Sequence, residues 1–188
     1  TAVYSAHFIM RILKAAGLPD GVINLVYGSG RAIGDPVLAD SHLAGIHFTG
    51  STGVFHGMWR TVGANIDKYK GYPRLVGETG GKDFILAHPS ADADALVTAL
   101  VRGAFEYQGQ KCSAASRAYI PSNLWPKVKE ALIAQVESLT MGDVADFKNF
   151  MGAVIDKASF DIQKGAIEAA KASSDAKVIT GGQCDDKD

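Results

Sequence analysis

Gly45-Ile46-His47-Phe48-Thr49-Gly50-Ser51-Thr52-Gly53 reads as a short apolar strand that ends in a turn of small residues and opens a helix. The helix is expected over about residues 52–66. Upstream, Phe8, Ile9, Ile12, Leu13 and Ala16 fall at helical spacing, so residues 2–16 read as an amphipathic helix closed by Gly17 and Pro19. Val22-Ile23-Asn24-Leu25-Val26 reads as a buried strand, followed by the turn Gly28-Ser29-Gly30 and a short helix over residues 31–39.

Downstream the alternation continues. Leu75-Val76-Gly77-Glu78, Phe84-Ile85-Leu86-Ala87 and Ala118-Tyr119-Ile120 read as strands. One helix is expected from Asp92 or Asp94 to about Tyr107, with Leu96, Leu100 and Ala104 on one face. A second starts near Leu124, capped by Asn123 or Ser122, and a third covers residues 157–172. Residues 108–116 form a polar loop, and Lys177-Val178-Ile179-Thr180-Gly181-Gly182 reads as a strand entering a turn. Strands alternating with helices imply an α/β fold with parallel strands.

The composition fits that class. The 188 residues are 47% hydrophobic and 21% charged, with a formal net charge of −1, which argues against intrinsic disorder. The charge balance gives no reason to expect nucleic acid or an anionic membrane surface. No apolar run approaches the roughly 20 residues that span a bilayer. Cys112 and Cys184 form no C-x-x-C pair, and the five histidines form no H-x-x-x-H pair, so no metal site is expected. A reducing intracellular setting is the default.

Four stretches carry chemistry. Gly28-Ser29-Gly30 suits a phosphate-binding turn, although Ile33 stands where G-x-G-x-x-G has its third glycine, and a plain strand–helix connection needs the same residues. In Gly50-Ser51-Thr52-Gly53, small residues let a ligand approach the backbone and a helix N-terminus attracts a phosphate; simple capping by Ser51 or Thr52 is the other reading. Glu78, at a strand end before Gly80 and Gly81, is a candidate general base or else an edge glutamate. Cys112, in Gly109-Gln110-Lys111-Cys112-Ser113-Ala114, is a candidate nucleophile with a cation beside it. Its polar neighbours argue against the usual fate of a lone Cys as a small buried hydrophobe. Cys184 reads as incidental.

Taken together and in order, Phe48-Thr49-Gly50-Ser51-Thr52, Glu78-Thr79-Gly80-Gly81-Lys82 and Gly109-Gln110-Lys111-Cys112 resemble the NAD(P)-dependent aldehyde dehydrogenase superfamily, and the resemblance covers essentially the whole chain. Within it, Gly103 to Ala114, Tyr72-Pro73-Arg74-Leu75, Gly80 to Phe84, Ser122-Asn123-Leu124-Trp125-Pro126 and Gly181 to Asp186 resemble the 1-pyrroline-5-carboxylate (L-glutamate γ-semialdehyde) dehydrogenase branch. Thr79 departs from the Leu common in the superfamily, and Ala115 stands where Cys would also fit.

The resemblance implies part of a Rossmann-type cofactor domain over residues 1–79 and part of an α/β catalytic domain over residues 80–188. It implies that Cys112 attacks the aldehyde carbon, that hydride passes to the nicotinamide, and that the thioester left behind is hydrolysed. Glu78 would activate Cys112 or the hydrolytic water. Gly50 and Ser51 would meet the pyrophosphate, and Gly28 would line the adenosine half of the groove. Lys111 and Ser113 would contact the carboxylate end of glutamate semialdehyde. The cofactor would be NAD, with NADP left open. The same resemblance makes the chain a middle portion of a longer, homo-oligomeric enzyme of the bacterial cytoplasm or mitochondrial matrix, inactive or nearly so alone. Two other readings stand beside it: a sibling aldehyde dehydrogenase acting on succinic semialdehyde or a betaine aldehyde, and a catalytically silent nucleotide-binding module.

Overall fold

The computed structural model describes residues 2–186, in two compact units, Thr1–Thr79 and Gly80–Asp188. The first unit holds α1 (Val3–Ala15), α2 (Gly30–Ala39), β1 (Gly45–Thr49), α3 (Thr52–Ala64) and β2 (Arg74–Glu78), with a 3₁₀ turn at Ile66–Lys68. Strands β1 and β2 pair in parallel from Gly45↔Arg74 to Thr49↔Glu78. A parallel pair needs a crossover, and α3 supplies it. Phe55 of α3 lies over β2: a Cβ at Gly77 would sit 2.2 Å from its ring, so only glycine admits this approach. Phe55 also stacks on Phe48 of β1, with ring centroids 5.8 Å apart. The buried Tyr69 ties the end of α2 to the segment after α3, its hydroxyl donating to the Leu38 carbonyl at 2.6 Å.

The second unit holds β3 (Asp83–Leu86), α4 (Ala93–Phe105), β4 (Ala115–Tyr119), α5 (Trp125–Glu137) and α6 (Lys157–Ala172), with a 3₁₀ turn at Glu106–Gly109. Strands β3 and β4 are also parallel, and their register slips by one residue after Asp83↔Ala115, so that Phe84 faces Arg117. The core lies between α4, α5 and this pair. Leu96, Val97 and Leu100 bury one stripe of α4 against Ala87 and the fully enclosed Val128, with Ile85, Ile120 and Leu132 packed around them. The Asp92 carboxylate caps α4, accepting from the Asp94 and Ala95 amides at 3.1 and 2.8 Å.

Three expectations are corrected. Val22–Val26 and the segment 177–182 form no strand. An apolar β-branched run becomes one only where a partner takes up its N–H and C=O groups, and no described strand pairs with either. Neither Asn123 nor Ser122 caps α5: Leu124 precedes it without a side-chain bond, Pro126 occupies the first turn, and the Asn123 amide instead donates to the Pro89 carbonyl at 3.0 Å.

Candidate active site

The expected site residues fall into clusters, one in each unit. In the first, the C-terminal ends of β1 and β2 bring Gly50, Ser51 and Glu78 together. The ladder places Thr49 opposite Glu78, and the next amide, Gly50 N–H, donates to the Glu78 carbonyl at 3.1 Å. Ser51 is the N-cap of α3, its hydroxyl accepting from the Val54 amide at 3.3 Å. The cap engages one amide of the first turn, and a helix N-terminus has further N–H groups without an intrahelical partner. The first turn of α3 holds no acidic residue. The Glu78 residue is exposed at the strand end. This is the edge at which open α/β sheets bind ligands.

Gly28 belongs to the connection before α2. A Cβ there would meet the Ile33 side chain at 3.0 Å, and its φ of +159° is near-extended backbone. Ser29 caps α2, accepting from the Ala32 amide at 3.2 Å.

The second cluster is the path from α4 to β4. Helix α4 stops at Phe105, and the chain then passes through three consecutive left-handed residues: Tyr107 (φ 55°), Gln108 (φ 57°) and Gly109 (φ 65°). For the two non-glycine residues this costs about 1–2 kcal/mol each. The reversal leads into a tight turn in which the Ala114 amide donates to the Lys111 carbonyl at 3.2 Å, with Cys112 and Ser113 at its corners. Cys112 is exposed with a free thiol, and Ser113 is exposed beside it.

The main chain of that turn is wedged against the residues entering β3. A Cβ on Gly81 would lie 2.2 Å from the Cys112 carbonyl oxygen and 2.4 Å from the Asp83 carboxylate. Gly81 is thus what lets the backbone around Cys112 pass this close. Gln108 and Gln110, both half-buried, reach the segment before α6 and the first turn of that helix.

Lys111 does not stand free. Its ammonium donates to Glu106 at 2.6 Å, while Arg102, one helical turn earlier, donates to the other Glu106 oxygen at 2.5 Å. The Arg102 guanidinium also lies over the Phe150 ring, 5.8 Å from its centroid. The hydrogen bond from Lys111, then the charges of Arg102 and Lys111, hold the Glu106 carboxyl below the usual carboxylate range against a smaller opposing effect of burial. Sequence reasoning missed Glu106. Its i,i+4 spacing from Arg102 was the available signal; the reach to Lys111 depends on the left-handed reversal. Among the described residues, no group of three or more His, Cys, Asp or Glu side chains is placed to hold a metal ion. No described helix is long and apolar enough to cross a membrane.

Comparison with known proteins identifies the family of the chain. The family model described as "Aldehyde dehydrogenase family" matches residues 1–188. The mitochondrial delta-1-pyrroline-5-carboxylate dehydrogenase of Dictyostelium discoideum is 52% identical over 98% of this chain and 34% of its own length. The corresponding Danio rerio protein is 46% identical over 100% of this chain and 34% of its own. A crystal structure of the Mycobacterium tuberculosis Delta-pyrroline-5-carboxylate dehydrogenase bound with NAD superposes with a TM-score of 0.94 and 54% identity, over 97% of this chain and 34% of that one. The chain thus spans about a third of the length of the relatives it matches. With the family model covering it from end to end, the chain belongs to the aldehyde dehydrogenase family.

Proposed function

We propose that the complete protein oxidises L-glutamate γ-semialdehyde, formed from 1-pyrroline-5-carboxylate, to L-glutamate with NAD, a step of proline breakdown. The observation that carries this reading is the exposed Cys112 thiol on a turn flanked by Lys111 and Ser113, with its main chain seated against Gly81. The names of the relatives support the substrate and the NAD-bound relative supports the cofactor. Residues 1–79 are read as part of the cofactor domain and residues 80–188 as part of the catalytic domain. A homo-oligomer located in a mitochondrial matrix or a bacterial cytoplasm belongs to the same proposal, the relatives named mitochondrial supporting the first location.

The residues present suit a dinucleotide. Ser51 opens a helix whose first turn carries no acidic side chain, Gly50 and Gly53 leave its approach open, and a pyrophosphate needs such outward amide donors. Gly28 is assigned to the adenosine half on the family resemblance. When bound, NAD accepts the hydride released from the substrate carbon.

In this mechanism the Cys112 sulfur, as thiolate, attacks the aldehyde carbon, and the carbonyl electron pair moves to oxygen. The Cys112 main-chain N–H helps to hold that oxyanion. As the oxyanion collapses, the carbon gives up hydride and becomes a thioester on Cys112. Glu78 takes the proton from Cys112 or from the water that then attacks the thioester, and the thiolate leaves as the acid forms. Lys111 and Ser113 orient the remote carboxylate of the substrate.

One observation favours a second reading. The Lys111 charge is already partnered by Glu106, which weakens its hold on an anionic substrate and leaves room for a sibling enzyme acting on a neutral or differently charged aldehyde. NADH formation by the full-length protein with glutamate γ-semialdehyde, succinic semialdehyde and propionaldehyde decides between them. A strong preference for the first upholds the proposal; equal turnover moves the assignment to a sibling.

A further inference from the structure

We propose that Gln110 is a positioning residue for the nucleophile, with Gln108 as its support; this rests on Cys112 being that nucleophile. Three consecutive left-handed residues, two of them not glycine, precede the turn that presents Cys112. Such backbone persists only where its surroundings hold it. What holds it here is a pair of side-chain amides reaching some 45 residues along the chain. Gln108 donates to the Ala153 carbonyl at 2.9 Å. Gln110 uses both ends of its amide: the oxygen accepts from the Ile155 main-chain N–H at 3.1 Å, and the nitrogen donates to the Ser159 hydroxyl at 2.9 Å.

That double engagement selects the residue type. The Ile155 amide demands an acceptor and the Ser159 hydroxyl accepts a donor, and a carboxamide offers both without a charge. Its partners are themselves fixed. The Asp156 carboxylate caps α6 by accepting from the Ser159 amide at 2.8 Å, so Gln110 grips the first turn of a helix. Gln110 is separated from Cys112 by Lys111 alone. A shift of its main chain therefore passes directly to the thiol and to the Cys112 N–H proposed to hold the oxyanion. A misplacement on the ångström scale at such a point costs about 100-fold in rate.

The test uses the full-length enzyme with Gln110→Met, which keeps the length of the side chain and loses both bonds, Gln110→Glu, which keeps the acceptor for Ile155, and Ser159→Ala. Two readouts are taken: turnover, and the rate of iodoacetamide alkylation of Cys112 mapped by peptide mass. Gln110→Met is expected to lower kcat and Cys112 alkylation together by about tenfold or more, with the KM for NAD and the melting temperature close to wild type. Gln110→Glu should recover part of the loss. Ser159→Ala should show a smaller loss in the same direction and add nothing on top of Gln110→Met, as residues acting through one contact do. Wild-type alkylation and kcat in Gln110→Met would overturn the proposal. Should that variant not fold, additive losses from Gln110→Glu and Ser159→Ala would overturn it, and non-additive losses would support it. The alkylation rate is read at Cys112 itself, so it stands apart from whether Cys112→Ala abolishes turnover.

Discussion

The Gly50 main-chain N–H donates to the Glu78 carbonyl at 3.1 Å, so a single hydrogen bond joins the start of the proposed cofactor-binding turn to the proposed base. The bond is main chain to main chain and leaves the Glu78 carboxylate out of the strand pairing. Glu78→Gln should therefore preserve the fold while removing the base. In the full-length enzyme we expect kcat to fall about 100-fold or more with the KM for NAD little changed. Steady-state kinetics check this, and a matching rise in that KM would show that the carboxylate also supports the cofactor turn.

Cys112→Ala should abolish turnover in the full-length protein, since it removes the thiol proposed to form the bond to the aldehyde carbon. The substitution takes away a solvent-facing side chain without touching the main-chain contact at Gly81. NAD binding, measured by calorimetry, is expected to persist. Wild-type turnover in this variant would refute the nucleophile assignment.

Lys111→Ala should raise the KM for glutamate γ-semialdehyde by about 10-fold or more and leave that for propionaldehyde nearly unchanged, given the 1.5–3 kcal/mol typical of hydrogen bonds to charged groups. An equal effect on the two aldehydes would refute the carboxylate role. Glu106→Gln removes the competing partner and is expected to shift the same ratio in favour of the anionic aldehyde.

The Lys111–Glu106–Arg102 chain should respond to acid. The folded state holds the Glu106 carboxyl below its unfolded value, so its contribution is fully present above the unfolded value and is lost as pH falls through the lower, folded one. At neutral pH the pairs are intact. Acidification below the ordinary carboxylate range should release Lys111, and Glu106→Gln should flatten this part of the stability–pH curve. An unchanged curve would show that the carboxylate titrates alike in both states.

Gly77→Val should destabilise the first unit, because a Cβ there meets the Phe55 ring at 2.2 Å and a branched side chain has nowhere to go. Overpacking of this kind costs about 1–3 kcal/mol. Thermal unfolding of the variant measures it, and Phe55→Ala in the same background should relieve part of the loss. No relief would place the strain elsewhere.

Local chemistry explains which of these features the sequence displayed. The alternation of elements, the strand Gly45–Thr49, the helix over residues 157–172 and the parallel pairing follow from periodicity and turn residues, and the structure reproduces them. The Ser51 cap was legible for the same reason. The Val22–Val26 run was misread because apolar β-branched composition says nothing about whether a ladder partner is at hand. The Gln110–Ser159 bond and the Gly81–Cys112 approach were invisible, since both join residues far apart along the chain. Lys111 was placed correctly in the turn, but its engagement with Glu106 required knowing that the backbone reverses at Tyr107.

The wedge of Gly81 against the Cys112 carbonyl sets a rule for redesign. If Lys111 and Ser113 make the proposed substrate contacts, the turn can be re-lettered at these outward side chains to change which aldehydes the enzyme accepts. It cannot be re-spaced. An insertion between Gly109 and Cys112, or any side chain at position 81, would push Cys112, the proposed nucleophile, off its seat. Libraries aimed at new substrates belong at the corners of the turn, with the glycine beneath them left alone.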